Sequence, residues 1–101
     1  MEKITLAELD GKLQASPFVL LDFTSPGCAP CKKIAQSLPA LLHDLLPTSV
    51  AAYEIDVTAE PGIAARFLVL GVPALILFKE GREISRFNSL PKIDTFRRLL
   101  S

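Results

Sequence analysis

Leu20-Leu21-Asp22-Phe23-Thr24-Ser25-Pro26-Gly27-Cys28-Ala29-Pro30-Cys31-Lys32-Lys33 decides how the chain reads. An apolar strand runs into a short turn, then two cysteines separated by two residues, then the start of a helix. These are the only cysteines in the sequence. Near a βαβ pattern, in a chain of cytosolic character, this spacing reads as a redox dithiol. Two thiols on the first turn of a helix can close a small disulfide ring with little backbone movement, because their Cα atoms already lie within bonding range. So small a ring restrains an unfolded chain weakly, which makes structural stapling a poor reason for it. Opening and closing is the better reason.

Outward from this stretch, Phe18–Phe23 is continuously apolar except for Asp22. Such a run suits a strand covered on both faces by helices, as in a parallel sheet. After the cysteines, Ile34, Leu38, Leu41, Leu42 and Leu45 fall on one helical stripe. Pro39 lies inside that stripe and is expected to kink the helix about a turn earlier, and Pro47 ends it. Upstream, Thr5-Leu6-Ala7-Glu8 fits a capping box. The helix it opens places Leu6, Leu9 and Leu13 on one face and stops at Ser16-Pro17. Residues 1–4 either add a short edge strand or fray.

Downstream, Val50–Val57 reads as a second strand, and Glu60-Pro61 opens a short helix through Phe67. Gly71-Val72-Pro73 breaks the chain before a third strand, Ala74–Phe78. Lys79-Glu80-Gly81-Arg82 is a hairpin turn in which Gly81 is free to take positive φ, and Glu83–Phe87 returns as the fourth strand. A last helix from about Pro91 buries Ile93, Phe96, Leu99 and Leu100. The order α-β-α-β-α-β-β-α describes an α/β protein, a mixed sheet with helices on both faces.

At 101 residues the chain suits one small domain, residues 1–101, with a single hydrophobic core. Eleven acidic and eleven basic side chains cancel, so there is no basic surplus with which to hold nucleic acid or anionic lipid. The start, Met1-Glu2-Lys3-Ile4-Thr5-Leu6-Ala7-Glu8, lacks the basic-then-apolar layout of a signal peptide. The longest apolar stretches, Phe18–Leu21 and Val72–Phe78, are strand-sized rather than membrane-spanning. The expectation is a cytoplasmic protein with no membrane or nucleic-acid partner.

The thiolate is the nucleophile in disulfide exchange, and an ordinary cysteine, with pKa about 8.5, is mostly protonated at neutral pH. Cys28 falls at the helix N-terminus, where unpaired N–H groups and the positive end of the dipole favour a negative sulfur. Lys32 and Lys33 have the wrong sign for that helix end. They are either a solvated pair or a further source of positive charge for a thiolate. Cys28, at the turn, is expected to attack. Cys31, one turn in and more buried, is expected to resolve the mixed disulfide. A zinc site needs four ligands, and the only other soft donor is His43, which reads as a helix-surface residue.

Taken together, Leu21-Asp22-Phe23, Cys28-Ala29-Pro30-Cys31-Lys32 and Gly71-Val72-Pro73 resemble the thioredoxin family. Ile55-Asp56-Val57 and Leu77-Phe78-Lys79-Glu80-Gly81 match it in order and spacing, so the likeness runs from the first helix to the last. The resemblance implies a thioredoxin fold, with a central mixed sheet of four or five strands. It implies a protein-disulfide reductase cycling between a Cys28–Cys31 disulfide and a dithiol, with no metal or organic cofactor. It also implies disulfide-containing protein substrates, a thioredoxin reductase as electron donor, and a monomer.

The same resemblance implies roles for further residues. Asp22 would be the buried carboxylate that moves protons to or from Cys31, which is plausible because burial raises a carboxyl pKa toward neutrality. The other reading of Asp22 is a strand-end residue facing solvent. Pro73 would be a cis-proline facing the cysteines, with the Val72 backbone turned to pair with an extended substrate; the alternative is a trans proline opening an edge strand. Pro30 would restrain the active-site loop, and it also suits simple helix initiation.

The sequence departs from the family pattern in four places. Gly27 stands where a tryptophan usually precedes the first cysteine, Ala29 where a glycine usually lies between them, and Thr24 where another tryptophan follows the strand. Ala51 and Ala52 occupy the region of the lysine that often neighbours the buried acid. Gly27 is therefore expected to leave Cys28 more open, and Asp22 to lack a cationic partner. Two rival functions are an oxidase or isomerase of a more oxidising compartment, and a non-catalytic adaptor or chaperone with passive cysteines.

Overall fold

A computed structural model describes residues 1–101. In chain order the elements are β1 (Glu2–Lys3), α1 (Leu6–Ala15), β2 (Phe18–Thr24), α2 (Ala29–Asp44), β3 (Ala51–Asp56), α3 (Pro61–Arg66), β4 (Ala74–Lys79), β5 (Arg82–Phe87) and α4 (Ile93–Leu100). The five strands make one sheet in the order β1-β3-β2-β4-β5. β1, β3 and β2 run parallel, while β4 is antiparallel to both β2 and β5. The sheet is mixed, as the element order requires, and residues 1–4 do contribute an edge strand. No helix is long and apolar enough to cross a membrane.

Alternation along β2 divides the interior in two. Val19, Leu21 and Phe23 pack with Leu9 and Leu13 of α1, Ile63 of α3, and Ile55, Ile76 and Phe78 of the neighbouring strands. Leu20 packs on the opposite face with Ile34 and Leu38 of α2, Leu75 and Leu77 of β4, and Phe96 of α4. Both faces of β2 are thus covered, which is why its sequence is apolar nearly throughout. Asp22 shares its face with Leu20, so it points toward the α2 side.

The helix signals hold with local corrections. The Glu8 carboxylate accepts from the Thr5 backbone N–H at 2.9 Å and from the Thr5 hydroxyl at 3.1 Å, tying off the start of α1. Leu9 and Leu13 are buried, but Leu6 stays 47% exposed, because it lies in the first turn beside Gly62 of α3 rather than over the sheet. α2 continues through Pro39 to Asp44, with Ile34 and Leu38 buried, Leu45 buried just past its end, and Leu41 and Leu42 half-buried against the same cluster. The β4–β5 hairpin turns on Glu80 (φ 51°) and Gly81 (φ 79°), two consecutive positive values that match a two-residue hairpin loop.

Candidate active site

The antiparallel register pairs Phe23 with Ala74, and the parallel register pairs Thr24 with Asp56. The C-terminal ends of β2 and β3 and the N-terminal end of β4 therefore share one edge of the sheet. The cysteine turn leaves this edge after Thr24, and Val72-Pro73 enters it before Ala74. One residue ahead of the cysteines, Gly27 has a φ of +78°, and the Cys28 N–H donates to the Ser25 carbonyl at 3.3 Å. Pro26 and Gly27 are thus the central pair of a four-residue turn with the positive φ of type II. Gly27 has a conformational task of its own, beyond leaving Cys28 open. The Pro-Gly dipeptide carried that signal in the sequence.

Cys28 is the N-cap of α2, and its sulfur accepts the backbone N–H of Cys31 at 3.3 Å. That N–H is one of those a helix start leaves without a carbonyl partner. Pro30 lies within the first turn, where its missing N–H removes no helical hydrogen bond. Cys28 and Cys31 form a disulfide with Cα atoms 5.3 Å apart. Their environments differ: Cys28 is half-exposed, whereas Cys31 is 2% exposed on the stripe that continues into Ile34 and Leu38. Lys32 and Lys33 are exposed and take part in no ion pair.

Asp22 is 1% exposed, and neither carboxylate oxygen has a hydrogen-bond partner. Burial first, and the nearby Glu54 charge second, push its pKa from 3.8 up to about 7. The solvent-facing reading of Asp22 therefore fails. For its neighbourhood the sequence offered only the expectation that a cationic partner would be lacking. The register places Glu54 of β3 directly beside Asp22, with Lys3 of β1 beyond it. Where a cation is absent, a second acid stands. Glu54 lines an open polar cavity of about 180 Å³ with Lys3, Thr24, Ser25, Pro26, Gly27, Lys32 and Asp56.

On the other flank, the Val72–Pro73 peptide bond is cis. Both residues line a larger groove, about 400 Å³, with Leu68, Val69, Leu70, Gly71, Ala74, Arg86 and Asn88. Leu68 and Leu70 are 75% and 97% exposed, and Leu68 has a φ of +54°. Leucines this open, in the groove that Val72 and Pro73 also line, form a surface for which the sequence offered little sign. Their only signal was an apolar run, Phe67-Leu68-Val69-Leu70, that fits neither helix nor strand.

Comparison with known proteins places these features. The thioredoxin family model matches residues 1–101. The thioredoxin of Chlamydia muridarum is 39% identical over 87 residues, which span 86% of this chain and 83% of that one. The thioredoxin of Staphylococcus aureus is 36% identical over 84 residues, spanning 83% and 79%. Among solved structures, a mutant thioredoxin from Halobacterium salinarum superposes with a TM-score of 0.82 at 28% identity, covering 99% of this chain and 86% of that one. The oxidised mitochondrial thioredoxin 3 of Saccharomyces cerevisiae shares the fold, with a TM-score of 0.83 at 24% identity over 99% and 92% of the two chains.

Proposed function

We propose that this chain, which belongs to the thioredoxin family and is a thiol–disulfide oxidoreductase that reduces protein disulfides, attacks its substrate with Cys28 and resolves the adduct with Cys31. The observation that carries the assignment is the contrast between the two sulfurs. Cys28 is half-exposed, and its sulfur accepts a helix-start N–H, an interaction that favours a thiolate in the reduced protein. Cys31 is buried, beyond direct reach of a protein disulfide.

In the first step the Cys28 thiolate attacks one substrate sulfur. The substrate S–S bond breaks, the other substrate sulfur leaves as a thiolate, and a Cys28–substrate disulfide forms. In the second step Cys31 loses its proton and attacks Cys28 Sγ. The Cys28–substrate S–S bond breaks, the substrate sulfur that Cys28 had attacked departs with the bonding electron pair, and the Cys28–Cys31 disulfide closes. Two electrons have passed from the dithiol to the substrate. Asp22 takes the Cys31 proton. Its burial on the α2-facing side of β2 and its pKa of about 7 support that role, since a base is most effective when its affinity lies near the working pH.

Gly27 in the turn and Ala29 and Pro30 in the first turn of α2 present Cys28, while Val72 and Pro73 line the substrate side. Exposed Leu68 and Leu70 widen that side into an apolar surface for the residues flanking a substrate cystine. The resulting disulfide is reopened by a thioredoxin reductase, which gives the protein a place in electron transport and cell redox homeostasis. It acts as a one-domain monomer in the cytoplasm. Family membership supports these assignments. The test is adduct trapping. Cys31→Ser should accumulate a stable mixed disulfide with a protein substrate, whereas Cys28→Ser should form none. Adducts on Cys31 in the Cys28→Ser protein, as abundant as those on Cys28, would refute the division of labour.

A further inference from the structure

We propose that Glu54 is a positioning residue for the reaction: standing beside Asp22 on the α2-facing side of the sheet, it sets how tightly Asp22 holds the Cys31 proton. The inference rests on the reading of Asp22 as the group that takes that proton. Register partners on parallel strands point to the same face, and adjacent strands lie about 4.8 Å apart. Lys3, Glu54 and Asp22 therefore stand in one row across β1, β3 and β2. From the other side, β4 offers Asp22 only Leu75. The Asp22 carboxylate is enclosed and unpartnered, so the charge one strand away acts on it through little water.

Glu54 itself is half-buried and lines the polar cavity beside Gly27. An ionised Glu54 makes a second negative charge at Asp22 unfavourable, so it strengthens Asp22 as a proton acceptor. The other charged groups that line the cavity with Glu54 are Lys32 on α2, Lys3 on β1 and Asp56 on β3. Lys3 and Lys32 line the same cavity, yet neither forms an ion pair with Glu54, which leaves its charge unneutralised by direct contact. Asp56 is engaged by the Thr58 backbone N–H at 2.9 Å and the Thr58 hydroxyl at 2.6 Å. The free carboxylate next to Asp22 is thus that of Glu54.

The test compares wild type, Glu54→Gln and Glu54→Asp. The Asp22 carboxyl carbon is titrated by NMR in the oxidised protein, and the pH profile of kcat/KM for disulfide reduction is recorded alongside. Glu54→Gln should lower the Asp22 midpoint by about 0.5–1 pH unit, a three- to tenfold loss of proton affinity, and move the matching limb of the profile the same way. Glu54→Asp, which keeps the charge, should restore most of both. An Asp22 midpoint that moves by less than about 0.2 pH unit in Glu54→Gln would overturn the inference. So would a midpoint that moves while the profile does not. Asp22→Asn separates the causes: if it abolishes the limb while Glu54→Gln moves nothing, the role of Glu54 fails and that of Asp22 survives. A limb that persists in Asp22→Asn sinks the reading of Asp22 and the inference with it.

Discussion

Replacing Asp22 with asparagine should stabilise the oxidised protein progressively as pH rises. The folded protein holds the Asp22 proton up to about pH 7, whereas an unfolded chain releases it near the ordinary 3.8. Between those values the unfolded state binds fewer protons, so wild-type stability falls with increasing pH. Below the unfolded value the penalty is absent, and above the folded value it is complete. About three pH units at 1.36 kcal/mol each amount to about 4 kcal/mol, a large share of the 5–15 kcal/mol typical of a small domain. Because the carboxyl is enclosed, solvent screening takes little from this figure. The amide introduced by Asp22→Asn would remain an unpartnered polar group at every pH, so the test lies in the slope and not the offset. Urea unfolding of both oxidised proteins, followed by far-UV circular dichroism because there is no tryptophan, supplies the comparison. Between pH 4 and pH 8 the midpoint advantage of Asp22→Asn should grow by more than about 1 M urea, for a slope of roughly 1–3 kcal/mol per molar. Titrating groups that do not interact with Asp22 cancel in that double difference, which leaves the Asp22 titration with its coupling to Glu54. An advantage that changes by less than about 1 kcal/mol across the range would refute the argument that Asp22 is buried and neutral below pH 7.

Two further outcomes are expected. Gly27→Ala meets no steric neighbour, yet it forces an L side chain to a φ of +78°, so it should cost about 1 kcal/mol in denaturant unfolding; an unchanged midpoint would remove the turn argument. Leu70→Ser, at a position 97% exposed, should leave the unfolding midpoint within about 0.5 kcal/mol of wild type while raising KM for protein disulfides and sparing small-molecule disulfides; equal KM values for a protein substrate would remove Leu70 from the docking surface.

What the sequence disclosed, and what it withheld, divides along the range of the interactions involved. The α2 stripe of Ile34 and Leu38 and the period of β2 are local patterns, and both mark buried faces in the structure. The burial of Asp22 was legible for the same reason, since an acid inside a two-faced strand has nowhere else to point. Leu6 misled because its spacing fits the α1 stripe, while the geometry of the first turn leaves it facing outward. Gly27 was read for the aromatic it lacks, although Pro26-Gly27 already specified a turn that needs positive φ. Glu54 was invisible as a neighbour of Asp22 because the two lie far apart in the chain. Only the register across the β2–α2–β3 crossover joins them, and no local pattern fixes that register. Exposed Leu68 and Leu70 were missed because hydrophobicity alone argues for burial, and only the surrounding loop shows them facing solvent.

The most direct test of the account is the equilibrium potential of the Cys28–Cys31 pair. The protein would be equilibrated in graded glutathione or dithiothreitol buffers, its free thiols trapped by alkylation, and the two states counted by mass. Each 30 mV corresponds to about 1.4 kcal/mol for a two-electron couple, so the scale resolves the alternatives well. A protein-disulfide reductase requires a potential at or below the cytosolic glutathione poise, about −220 to −260 mV by extraction. A potential near −120 to −180 mV, on the order of those of oxidising and isomerising proteins, would contradict the account.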